Sequence, residues 1–142
     1  MIIAPFTPAQ SAALVSAMDR IVPADEYPSA SAAGVGQFIA GLMAGPLADR
    51  AAAFAAGLDA LDAAARAHCG TDFAHCWPDV QDGLLAKLES GEDAAGRAFV
   101  ATLVQIVTEG YYTDPSTGGN RDAASWRMIG YDPRVPTVTG RV

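Results

Sequence analysis

LADRAAAFAAGLDALDAAAR, residues 47–66, places an apolar side chain at every third or fourth position: Leu47, Ala51, Phe54, Leu58, Leu61 and Ala65. At 3.6 residues per turn these share one face of a helix, while Asp49, Arg50, Asp59, Asp62 and Arg66 take the other. Gly70 terminates it, because glycine adopts the left-handed conformation that ends a helix without steric cost. A strand would need apolar and polar residues to alternate, and they rarely do so anywhere in this alanine-rich chain. The stretch reads as a half-buried helix, and the remaining segments must cover its apolar face.

Upstream, Thr7-Pro8-Ala9-Gln10 offers a capping hydroxyl, a proline at the first helical position and a glutamine that reaches back. A helix is predicted from there, with Leu14, Val15, Met18, Ile21 and Val22 on one face and Pro23 as its stop. Pro23 to Pro28 is a rigid turn. Ser29 or Ser31 is then expected to cap a second helix carrying Val35, Phe38, Ile39 and Leu42, which ends at Gly45-Pro46. Gly34-Val35-Gly36 lacks the third glycine and the preceding strand of a dinucleotide fingerprint, and reads as close helix packing.

Downstream, Thr71 to Pro78 is a connector with room for one turn, and Pro78 opens a helix with Val80, Leu84, Leu85 and Leu88 as its stripe. After Ser90-Gly91 another helix runs from about Ala94 to Glu109, facing Phe99, Leu103, Ile106 and Val107 inward. From Tyr111 to Arg121 a polar, aromatic loop with Asp114-Pro115 and Gly118-Gly119 turn signals is expected, with no helix in it. Asn120 then caps a short helix bearing Trp126 and Ile129, Gly130 ends it, and a proline-bearing tail follows. The expectation is an all-α fold, a compact bundle of about five helices plus a short C-terminal helix after a glycine-rich aromatic loop, as one domain over residues 1–142.

The 142 residues carry 9 Lys+Arg against 16 Asp+Glu, a formal charge of −7, and 51% are hydrophobic. A chain of this size buries enough surface to fold without disulfide or metal. An acidic surface disfavours nucleic acid and anionic lipid as partners. No apolar run reaches the roughly 18 residues of a membrane span, so no direct membrane insertion is expected, and no charged segment precedes a signal core.

No phosphate loop, nucleophile elbow or haem-attachment motif is present, so no cofactor is expected in this chain. His68-Cys69 and His75-Cys76 gather four ligand-type side chains, the basis of an alternative reading as a small helical metal-binding protein or enzyme. Adjacent His-Cys side chains diverge, however, and the spacing fits no short zinc motif. Cys69 and Cys76 also leave a disulfide or ordinary unpaired thiols open, and the compartment decides between them. Asp25 and Glu26 flank a proline turn, and Asp72 and Asp79 sit at a turn and a helix start, where carboxylates serve as caps. Tyr111, Tyr112, Trp126, Met128 and Tyr131 concentrate aromatic and methionine surface around the glycine-rich loop, in a composition typical of protein interfaces.

Two blocks carry a resemblance. Ile21-Val22-Pro23-Ala24-Asp25-Glu26-Tyr27-Pro28-Ser29-Ala30 is one; Tyr111-Tyr112-Thr113-Asp114-Pro115, Gly118-Gly119-Asn120-Arg121-Asp122 and Trp126-Arg127-Met128-Ile129-Gly130-Tyr131 form the other. Together they closely resemble the gluconate 2-dehydrogenase subunit 3 family. The resemblance implies a small, non-catalytic subunit of a bacterial FAD-dependent sugar or sugar-acid dehydrogenase. Its partner would be a large FAD-binding subunit of the glucose–methanol–choline class, with room for a cytochrome c subunit. The small subunit would support maturation and stability of the large one and, through a twin-arginine signal, its export. No arginine pair or apolar core precedes Thr7 here, so the periplasm is expected if such a signal has been removed, and the cytoplasm otherwise. The expected partner interface comprises Tyr111, Tyr112, Asp114, Pro115, Gly118, Gly119, Asn120, Arg121, Asp122, Trp126, Met128 and Tyr131.

Overall fold

Gly96, Phe99, Val100, Leu103, Ile106, Val107, Gly110 and Tyr111 follow one another at helical spacing and are all buried. This stripe makes α5 (Ala94–Tyr112) the axis of a bundle, seen in a computed structural model that describes residues 1–134. Around it stand α1 (Pro8–Ile21), α2 (Val35–Ala44), α3 (Ala51–Cys69) and α4 (Pro78–Ser90), and α6 (Ala124–Ile129) closes one end. Helix α5 packs against α1, α2, α3, α4 and α6, and α1 packs against α3, α4 and α5. Single 3-10 turns lie at Ala48–Arg50, Phe73–His75, Pro115–Thr117 and Arg121–Ala123. The fold is all-α, with no strand among the described residues. The tail expected after Gly130 falls, from residue 135 on, outside them.

Local chemistry explains most boundaries. Thr7 accepts from the Gln10 amide while the Gln10 side chain accepts from the Thr7 amide, so the expected capping box is present. On α3, Phe54, Leu58, Leu61 and Ala65 are buried, Leu47 and Ala51 lean on the core, and Gly70 ends the helix at φ +73°. The rings of Phe6, Phe54 and Phe99 stand 5.7 and 5.1 Å apart and tie the N-terminal segment, α3 and α5 into one cluster. Among the described residues no single helix is long and apolar enough to cross a membrane.

Three boundaries differ from expectation. Helix α2 starts at Val35, because Ser31 is committed elsewhere: its amide and hydroxyl both bond to Asp19 on α1, at 2.8 and 2.5 Å. Ser29 caps only a preceding turn, accepting from the Ala32 amide at 3.3 Å, and Gly34 at φ +83° is the true N-cap of α2. Helix α5 runs through Gly110 to Tyr112. Gly110 is where α2 crosses, and a Cβ there would lie 2.7 Å from a ring carbon of Phe38 and 3.0 Å from Val35. The glycine serves close packing, and propagation of backbone bonds carries the helix past it. Finally, the polar loop contains the 3-10 turns at Pro115–Thr117 and Arg121–Ala123.

Two glycine-to-alanine changes test this packing. Gly41 on α2 has open space around its Cα, so Gly41→Ala should raise stability by about 0.5–1 kcal/mol through the unfolded chain's lost freedom. Gly110→Ala should lower it by about 1–3 kcal/mol, because the α2 contact is overfilled. Denaturant melts of the chain read both.

Candidate docking site

A helix leaves its last carbonyls without partners inside the helix. At the end of α5 the returning chain supplies them. The Trp126 indole N–H donates to Tyr112 O at 3.0 Å, and the Asn120 amide donates to Thr113 O at 2.8 Å. The Asn120 carbonyl oxygen accepts from both the amide and the hydroxyl of Ser125, at 2.9 and 2.7 Å, which holds the first turn of α6. Asn120 is fully buried and every polar atom of its side chain is engaged.

The same segment leans on the start of α2. The Arg121 amide donates to Ala33 O at 2.8 Å, and the Tyr111 hydroxyl donates to Pro28 O at 2.7 Å. Gly118, at φ +96°, places its carbonyl so close to Gly34 that a Cβ on Gly34 would overlap it, and a Cβ on Gly119 would overlap Gly110 O. Tyr111 therefore joins the two sequence blocks, and Arg121 bonds just beyond the end of the first, both across more than 80 residues of chain. Burial pushes the Tyr111 phenol above its ordinary value, and Asp25 and Tyr112 act in the same direction.

What this frame presents to solvent is aromatic. Tyr112 is 42% exposed and Tyr131 45%, and the Trp126 indole lies between them, bonded to the Tyr112 carbonyl and edge-on to the Tyr131 ring at 5.0 Å. Ile129, one helical turn beyond Trp126, is 60% exposed. A polar groove of about 560 Å³, lined by Gln37, Ser116, Thr117, Arg121 and Asp122, opens on the same segment.

The gluconate 2-dehydrogenase subunit 3 family matches residues 8–133. The chain belongs to that family. No curated protein and no solved structure matches it. The matched span takes in both blocks and the whole segment just described. A gluconate 2-dehydrogenase subunit 3 is, by that description, one component of a dehydrogenase built from several subunits.

Within this subunit 3 chain the expected interface residues divide by depth. Tyr111, Gly119 and Asn120 are buried and hold the segment's shape. Pro115, Gly118, Trp126 and Met128 are half-buried, Met128 against the core. Tyr112, Asp114, Arg121, Asp122 and Tyr131 reach solvent. Asp114 accepts from the Ser116 amide at 2.9 Å, which holds its carboxyl below the usual range. Asn120 does support α6, as expected, but it acts on Ser125 from inside rather than as the residue that begins the helix. Sequence reading missed the left-handed residues Asn120, Asp122 and Ala123, at φ +47°, +58° and +53°. Asn120 and Asp122 carry a compositional signal for that conformation, and Ala123 carries none.

The alternative metal set does not assemble. Among the described residues no three His, Cys, Asp or Glu side chains converge on a common point, and His75 is instead paired with Asp72. That pairing holds the Asp72 carboxyl below its ordinary value. Asp25 accepts from the Tyr27 amide at 2.8 Å and closes the proline turn.

Two measurements probe the frame. Asn120→Ala removes the partners of Thr113 O and of Ser125, and should cost about 2 kcal/mol or more in a denaturant melt. For Tyr111 the raised pKa means the folded state favours the neutral phenol, so its contribution is whole below pH of about 10 and is lost as pH rises through the raised value. Ultraviolet titration should show one tyrosine ionising after the others, and Tyr111→Phe should remove that late phase.

Proposed function

We propose that this chain is the non-catalytic small subunit of a bacterial FAD-dependent sugar or sugar-acid dehydrogenase. Its partner is a large catalytic subunit of the glucose–methanol–choline class, which it binds and keeps in a cofactor-competent, soluble fold. The observation that carries this reading is the cluster of exposed Tyr112 and Tyr131 around the half-buried Trp126, mounted on a frame whose buried side-chain polar groups are satisfied. Preorganised aromatic surface binds with little loss of conformational freedom, and tyrosine, tryptophan and arginine are the side chains most often found as interface anchors. FAD belongs to the partner in this scheme, as does the choice of substrate. Subunit 3 works by stabilising the state it binds, in the way any ligand of a native state does. Where the partner is exported, the pair travels together, with room for a cytochrome c subunit in the complex.

The test is co-expression. A tagged copy of this chain should bring down a yellow flavoprotein with sugar-oxidising activity, while the chain alone is colourless and inactive. Substrate turnover by the isolated chain would overturn the reading. Arg121→Ala and Tyr131→Ala should each weaken the complex by about 2 kcal/mol, roughly 30-fold in Kd, with the melting of the isolated chain little changed. Trp126→Ala should lower both, because its indole also holds the end of α5.

A further inference from the structure

Cys69 ends α3 and Cys76 follows the Phe73–His75 turn, and their sulfur atoms are in contact at 3.3 Å. The corner between them is anchored. Phe73 is fully buried, its amide donates to Asp62 at 2.9 Å, and the buried Gln81 side chain donates to its carbonyl at 2.8 Å. Asp72 caps the turn by accepting from the His75 amide. The two thiols are thus held together by structure fixed in the core. Cys69 is exposed and Cys76 is 8% exposed. Neither is used by the docking segment.

We propose that Cys69 and Cys76 form a thiol–disulfide exchange site for low-molecular-weight disulfides, Cys69 being the point of attack and Cys76 the resolving thiol. The Cys69 thiolate attacks one sulfur of the small disulfide. A bond forms at Cys69, the small molecule's S–S bond breaks, and one small thiolate leaves and takes up a proton. The Cys76 thiolate then attacks Cys69 Sγ, forming the internal disulfide and expelling the second small thiolate, which is protonated in turn. Two protein thiols are oxidised and one small disulfide is reduced to two thiols, with no other reactant. Burial pushes the Cys76 thiol up to about 11, and Cys69, Asp72 and Asp62 add to the rise. Cys76 is therefore a poor nucleophile toward solvent and acts on Cys69 only at contact, where proximity replaces concentration. The closed bond ties the end of α3 to the segment that leads into α4.

The folded, reduced full chain is incubated with oxidised glutathione, quenched with acid and an alkylating reagent, and weighed intact. The expected product has lost two hydrogens and retains no glutathione, and its melting temperature is higher by about 5 °C. Cys76→Ser should retain one glutathione on Cys69, and Cys69→Ser should react about tenfold more slowly than the parent. Cys76→Ala replaces the serine variant if the latter does not melt cooperatively. Glutathione retained on the parent chain, a Cys69-linked dimer, closure only after unfolding, or a Cys69→Ser chain as reactive as the parent would each overturn the proposal.

Discussion

The backbone of Gly119 lies against the carbonyl of Gly110 with no room for a side chain between them. The C-terminal segment depends on that contact. It lets the chain turn back within reach of the end of α5, where Asn120 and Trp126 meet carbonyls that the helix itself cannot satisfy. It also brings Gly118 and Arg121 onto Gly34 and Ala33, the residues that lead into α2. Remove the approach and three separate groups of hydrogen bonds lose their geometry at once.

The segment is strained where it matters for shape. Asn120, Asp122 and Ala123 hold left-handed backbone conformations that cost of order 1–3 kcal/mol each, and more for an alanine than for an asparagine. The buried Asn120 side chain, with bonds to Thr113 and Ser125, is what keeps the chain in that conformation. The strain turns α6 so that Trp126 bonds to α5 and leaves Ile129 and Tyr131 at the surface. A relaxed loop of the same length would have no reason to present them together.

Periodicity makes the bundle readable from the chain. Phe54, Leu58, Leu61 and Ala65 are buried as their spacing predicts, and the capping box at Thr7 and the stop at Gly70 fall where local chemistry puts them. What local chemistry cannot reveal is competition between partners. Ser31 is a good cap by composition, yet Asp19 of another helix takes it. Gly110 and Gly119 look like breakers, and both are glycines because another chain segment passes too close for a side chain. In the segment from Tyr111 to Tyr131 the residue types are legible but their depth is not: Asn120 is as polar as Arg121, and only the first is buried. Burial there follows from contacts between residues far apart in the chain, which no window of sequence contains.

The join between Tyr111 and Pro28, and between Arg121 and Ala33, also sets an order in time. A ribosome makes α1 to α5 first, and by then the bundle has most of its apolar stripe. The aromatic cluster has no existence at that stage, because its frame needs residues near 30 and residues near 120 at once. It comes into being only when synthesis has passed Tyr131 and the two ends of the fold have met. A partner that recognises this surface is in effect inspecting the finished article, and incomplete or misfolded copies offer it nothing to hold.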